Sequence, residues 1–260
     1  MSAAPLRVQV AELARRSIVQ TLRQPLLIVP PILFPLVLVA VNSSGLQAAT
    51  RIPGFPTDNY VDFAIAVAFI QGALFAMINA GSALARDVET GFQRRLAMTP
   101  MQRPAQLIGQ LTGVILVAFF SALIYLAVGF LAGLHVKAGP GGVLALLALA
   151  MLIALGFAAI GALVGLRSGS AEAVQGFFPL FFVLLFLSSS SLPRPLIDHE
   201  WFRTIATYNP LSYLIEGIRS FIIDGWDGRA LALGFGFAIL ILVLGIAGAS
   251  QALRTRLVRT

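Results

Sequence analysis

Apolar residues fall into six long runs divided by short polar tracts: roughly 25–44, 60–84, 106–133, 142–166, 172–192 and 230–252. A helix needs about 20 mostly apolar residues to cross about 30 Å of hydrocarbon. Each run therefore predicts a membrane-spanning helix. The first is the weakest, because its clean stretch, Leu26 to Val41, rises only about 24 Å at about 1.5 Å per residue. It also carries Pro30, Pro31 and Pro35. Proline is tolerated in a membrane helix when neighbours satisfy the carbonyls it frees, so a kinked, packed helix is expected.

Three segments outside these runs have patterns of their own. Residues 6–23 predict an amphipathic helix, with Val10, Leu13, Ala14, Ser17, Ile18, Thr21 and Leu22 at helical spacing. Arg7, Arg15, Arg16 and Arg23 lie off that stripe, as suits a helix resting on an anionic membrane surface. The charged tract 86–104 is broken at Thr99-Pro100 and Arg103-Pro104, since a residue preceding proline is pushed out of helical geometry. A short helix before Thr99 would set Phe92 one turn from Leu96, with Arg94 and Arg95 off that seam. The third segment, 191–228, contains Asn209-Pro210, a capping residue followed by a first-turn proline. Leu211, Leu214, Ile215, Ile218 and Ile222 then form an apolar stripe, with Glu216 and Arg219 spaced as a local ion pair. This helix is too short and too charged to span, so an interfacial or partly re-entrant position is expected. No internal repeat divides the chain, and residues 1–260 read as one domain.

Composition agrees with a lipid environment. The chain is 58% hydrophobic and 11% charged, against about 25% charged residues in soluble domains. Its net charge of +7 sits in tracts between apolar runs, which argues for membrane topology rather than nucleic acid. With the N-terminus cytoplasmic, twelve of the eighteen basic residues fall inside, while seven of the eleven acids fall outside. The positive-inside rule favours that orientation. Six spans then leave both termini cytoplasmic.

Candidate chemistry is sparse. The absence of cysteine excludes disulfides, thiolate metal sites and cysteine nucleophiles. The one lysine, Lys137, follows His135-Val136, so no phosphate-binding GxxxxGK[ST] loop exists. The run Ser188–Ser191 reads as packing and capping at a helix end. Ionisable residues are nearly absent from mid-span, which disfavours a gradient-driven carrier. A lipid-modifying enzyme using Asp198, His199 and Glu200 is the alternative of a different class, and a secondary carrier is a third reading.

The tract Asp87-Val88-Glu89-Thr90-Gly91-Phe92-Gln93-Arg94-Arg95-Leu96-Ala97-Met98-Thr99-Pro100 resembles the coupling-helix signature of ABC type-2 exporter permeases. That signature has an acidic pair, then glycine, a basic residue and leucine, then Thr-Pro. The stretch Tyr208–Arg219, with Leu192-Pro193 upstream, is similar to their second signature, Asn-Pro before an amphipathic external helix ending in arginine. The resemblance covers nearly the whole chain and is nearest to the daunorubicin-resistance-like drug or lipid exporters. It implies an all-helical integral membrane fold with six transmembrane helices, an N-terminal interfacial helix, a cytoplasmic coupling helix between spans 2 and 3, and short external re-entrant helices between spans 5 and 6. It further implies a non-catalytic permease in a bacterial inner membrane. The permease pairs with a second copy or a related chain and with two ABC ATPase subunits, which hold the ATP and magnesium. This chain would bind no cofactor or metal itself.

On that reading Asp87, Glu89, Gly91, Phe92, Arg94, Arg95, Leu96, Thr99 and Pro100 carry ATPase coupling. Phe92 departs from the small residue common at its position. Asn209, Pro210, Tyr213, Glu216 and Arg219 belong to an external gate helix. Gln71 and Asn79 share a helix face, where ordinary interhelical hydrogen bonding competes with lining a substrate path. Phe177, Phe178, Phe181 and Phe182, with Phe186, read either as lipid-facing packing or as a greasy wall for a hydrophobic drug-like or lipid substrate.

Overall fold

The computed structural model describes residues 5–98 and 103–258, and of Arg94, Ala97, Arg103, Pro104 and 256–258 it describes only the backbone. Among the described residues, five helices are long and apolar enough to cross a bilayer, and Ala171–Phe186 is a shorter apolar segment. The chain begins with α1 (Leu6–Leu22) and, after a 3-10 turn at Pro25–Leu27, enters α2 (Val29–Leu46). Pro30 lies in the first turn of α2, where a missing N–H costs nothing. Pro35 is interior and deprives the Pro31 carbonyl of its helical donor. The Tyr125 hydroxyl donates to that carbonyl, so a neighbouring helix satisfies what the proline frees.

Next come α3 (Tyr60–Glu89), α4 (Phe92–Ala97), α5 (Arg103–Leu131) and α6 (Gly139–Ser168). At 30 residues, α3 is about 45 Å long and outlasts the predicted span, so that Asp87 and Glu89 form its last turn rather than a loop. The helix is the hub of the bundle: 78% of its most apolar window is buried, against 11% for α2. Its contact with α6 is backbone on backbone. A Cβ on Gly161 would lie 1.9 Å from the Met77 carbonyl oxygen, and one on Gly165 would lie 2.1 Å from that of Gly81. Backbone cannot yield as a flexible side chain can. Gly161→Val is therefore expected to destabilise the protein by about 3 kcal/mol or more, read as lost monodisperse protein and a lowered Tm in detergent. Gly141→Ala, which meets open space, should change neither.

The fifth apolar run is broken. It forms α7 (Ala171–Gly176), capped by Ser170, and α8 (Phe178–Phe186). Pro179 cannot donate to the preceding turn, and the serines after Phe186 turn instead of extending the helix. The segment still runs the length of the bundle. The Ala171 N–H reaches Glu89, at the end of α3, while the Ser191 carbonyl meets Tyr60, at its start. Six segments thus traverse the fold, one of them short. Then follow α9 (Glu200–Tyr208), α10 (Pro210–Arg219), a π-helical turn at Ser220–Asp224, and α11 (Gly228–Val258). The helix expected to be interfacial or partly re-entrant is packed into the bundle, with Leu214, Ile215 and Ile218 fully buried. Leu84, Leu111, Leu166 and Leu253 share one cluster, and α1 packs on Gly109 and Gly113 of α5. Helix α1 and the last turns of α11 therefore lie at the same end of the bundle.

Candidate functional site

At that end the sequence folds into a clasp. Arg16 of α1 donates two hydrogen bonds to Asp87, at 3.0 and 2.7 Å, a bidentate geometry that fixes orientation as well as distance. Gln110 of α5 donates to the same carboxylate at 3.2 Å, and Gln93 of α4 donates to Gln110 at 3.4 Å. The Arg16 guanidinium also lies 3.8 Å from the centroid of the Phe92 ring, a stacked cation contact. Ser17 fixes α1 along α5 by donating to the Gln110 carbonyl and accepting from the Gly113 N–H. Three helices thus meet on one carboxylate, and α4 joins them through Gln110 and Arg16.

The turn from α3 into α4 depends on Gly91, whose φ of +67° is a left-handed conformation open to glycine at no steric cost. Thr90 donates to the Arg86 carbonyl, and Arg95 donates to the Thr90 carbonyl. Glu89 accepts from the first N–H of α7 at 3.4 Å. Of the residues assigned to coupling, Asp87, Glu89, Gly91, Phe92, Arg95 and Leu96 come together here. The Arg94 side chain, Thr99 and Pro100 lie outside the described residues. Asp87 is buried and spent on internal partners, Leu96 is buried, and Glu89, Thr90, Arg95 and Met98 are exposed. Sequence reading missed Arg16 and Gln110 as parts of this site. Arg16 is 71 residues from its partner, and nothing local sets it apart from Arg15.

At the opposite end, Arg219 is buried and ties three segments together. Its Nε donates to the Phe63 carbonyl at 3.0 Å, and its two terminal nitrogens donate to the carbonyls of Ser189 and Ser190 at 2.6 and 2.7 Å. Its guanidinium lies over the Phe63 ring. Burial pushes it down to about 9, partly offset by Glu216, which leaves it charged at neutral pH. The expected Glu216–Arg219 pair does not form. Glu216 instead pairs with Arg194, a residue the sequence reading did not single out. The physical reason is the serine turn, whose carbonyls have no helical donors and draw Arg219 inward. Asn209 caps α10 at the Leu211 N–H and donates to the Leu184 carbonyl, with Pro210 in the first turn as expected. The Tyr213 ring is sandwiched between Arg194 and Phe237.

Midway, the two polar residues of α3 part company. Asn79 donates to the Leu27 carbonyl at 3.0 Å, an ordinary interhelical tie. Gln71 is buried, its Oε1 has no partner, and it faces a cavity of about 90 Å³ with Asn42, Tyr60 and Ser190. Phe178 and Phe182 stack in a ladder with Phe34, Phe75 and Phe186 across α2, α3 and α8. Phe181 packs inward on Phe157, and Phe177 is exposed. Asp198, His199 and Glu200 are all exposed at the start of α9.

The profile of the ABC-2 type transporter family matches residues 8–223. The chain is 26% identical over 168 residues to a daunorubicin resistance ABC transporter permease of Streptomyces coeruleorubidus, covering 64% of this chain and 59% of that protein. It is 25% identical over 198 residues to a protein of Mycobacterium tuberculosis named as a doxorubicin resistance ABC transporter permease, covering 76% of this chain and 69% of that one. The chain thus spans about three fifths of the first relative's length and about seven tenths of the second's. The family match takes in the clasp, the buried arginine and all but the last of the traversing helices, so the chain belongs to the ABC-2 type transporter family, as a transmembrane ABC transporter subunit.

Proposed function

We propose that the chain is the permease of an ATP-driven exporter, and that the clasp end faces the cytoplasm and docks a separate ABC ATPase subunit. The observation that carries this reading is the convergence of Arg16 and Gln110 on Asp87, with Phe92 of α4 held against the Arg16 guanidinium. It makes α1, α3, α4 and α5 one rigid platform, from which Glu89, Arg95 and Met98 project. A push on α4 is then delivered to α3, the hub of the bundle. ATP and magnesium belong to the partner, and this chain supplies no catalytic group. Both termini are cytoplasmic, in keeping with the excess of arginine at that end, and the membrane is the bacterial inner membrane.

The moved substrate is a hydrophobic drug-like molecule or a lipid, in line with the names of the relatives. The aromatic ladder offers it an apolar wall, and Gln71 offers one hydrogen-bond acceptor. A second permease copy covers the exposed apolar faces of α2 and α8, where Leu33, Val37, Leu180 and Val183 are uncovered. The test is a pull-down of the tagged protein from mild detergent, assayed for ATPase activity. The wild type should bring down an ATPase, and a variant with residues 87–96 replaced by a neutral linker should not. Absence of ATPase from the wild type under several gentle conditions would overturn the reading in favour of gradient-driven transport.

A further inference from the structure

The largest cavity described, about 620 Å³, is not the one beside Gln71. It opens at the Arg219 end, between α10, the π-helical turn and the start of α11. This volume is in the range of small-molecule sites. Six charged residues line it: Arg194, Glu216, Arg219, Asp224, Asp227 and Arg229. Two of them, Arg194 and Glu216, cancel each other in an ion pair. The other four form no ion pair among the described residues. Arg219 has five N–H donors and uses three on backbone carbonyls. Arg229 shows only its backbone N–H bonded, to Asp227. Asp224 stands near Asp227, and burial, then the Asp227 charge, pushes its carboxyl up against the opposing pull of Lys137. The lining therefore holds two carboxylates and two guanidiniums that are not joined in ion pairs with one another.

The complement of such a cavity is one molecule bearing an anion and an ammonium a few bonds apart. The remaining lining adds an apolar requirement. Ile223, Ala230 and Leu233 complete one side. Below Leu233 the face of α11 continues through Leu240 and Leu244, which are 50% and 62% exposed. An acyl chain leaving the cavity would lie on that face. A quaternary ammonium is disfavoured, because such groups are held in cages of free aromatic faces. Here both faces of Tyr213 are already occupied, by Arg194 and Phe237. Carboxylates accepting hydrogen bonds favour a primary amine.

We infer that this cavity binds the headgroup of a zwitterionic phospholipid with a primary amine, its phosphate at Arg219 and Arg229, its ammonium at Asp224 and Asp227, and its chains along α11. The site is separate from ATPase coupling and needs no partner, so its failure would leave the permease reading untouched, and the converse also holds.

The chain has two tryptophans, and Trp226 lies between the two aspartates. Trp201→Phe, at an exposed position, makes Trp226 the sole reporter in the purified full-length protein in detergent. Dihexanoyl phosphatidylethanolamine should shift its emission saturably. The choline and glycerol analogues, and free phosphoethanolamine, should bind at least tenfold more weakly at matched mole fraction. Asp224→Asn with Asp227→Asn should erase the preference for the amine, and Arg229→Gln should weaken every phospholipid. Equal binding of the ethanolamine and choline lipids would overturn recognition of the amine. Equal binding of free phosphoethanolamine would overturn the lipid assignment, and no saturable shift with any of them would overturn the site.

Discussion

Arg219→Ala is expected to lower the stability of the folded protein by about 3–5 kcal/mol. The variant strips the donors from the buried carbonyls of Ser189 and Ser190 and empties the space a guanidinium filled. An orphaned buried acceptor costs about 1–3 kcal/mol, and the lost packing adds to it. Arg219→Lys should recover little, because one ammonium cannot reproduce a planar fork spread over three carbonyls. Thermal unfolding in detergent is the measurement. The expected result is a large drop in Tm for both variants, with the serine turn becoming accessible to protease. A Tm within a degree or two of wild type for Arg219→Ala would show that the turn does not depend on this residue. Part of the outer cavity wall would be lost with it, which is why the lipid test above relies on Arg229 and the aspartates.

The second large effect concerns the clasp and rests on the docking proposal. Arg16→Asp sets two negative charges where a bidentate ion pair stood, and Asp87→Arg does the reverse. The Arg16 side chain is 36% exposed but that of Asp87 only 10%, so each charge reversal costs more stability than the ~1 kcal/mol of a fully exposed pair. Coupling should suffer far more, because orientation of α4 depends on the pair and on the Arg16–Phe92 contact. Each single variant should insert with a lowered Tm and capture ATPase about tenfold less well. The double variant, Arg16→Asp with Asp87→Arg, restores the attraction and should regain most of the capture. Full capture by either single variant would remove the clasp from the coupling pathway.

These two sites also mark how far the sequence can be read. Helix α1 ends within a residue of its predicted limit, and α10 starts at the Asn209-Pro210 cap. Both signals are local. Side-chain periodicity and a cap are properties of neighbouring residues, and the fold has no reason to override them. The long apolar runs were equally plain, since lipid rewards an uninterrupted apolar helix wherever it lies in the chain. The short fourth helix was placed by the Thr99-Pro100 break and the one-turn spacing of Phe92 and Leu96. The carbonyls of the serine run serve as structural acceptors for Arg219.

What the tertiary structure alone decided is which groups meet. Asp87 looked like a docking charge and proved to be the buried partner of Arg16. Glu216 and Arg219 looked like a pair and turned to different partners, one 22 and the other 156 residues away. The fifth apolar run carried Gly176 and Pro179 in plain sight and breaks there, between α7 and α8, but the partner of its serine carbonyls, Arg219, was set by the packed bundle. Gln71 and Asn79 share a helix and differ in role because one has a carbonyl within reach and the other faces a cavity. The sequence by itself determined the spans, the caps and the charge asymmetry, because hydrophobic burial and capping act over a few residues. The pairing of charges and donors was decided only by the packed bundle, because a buried polar group takes whichever partner the fold brings within about 3 Å.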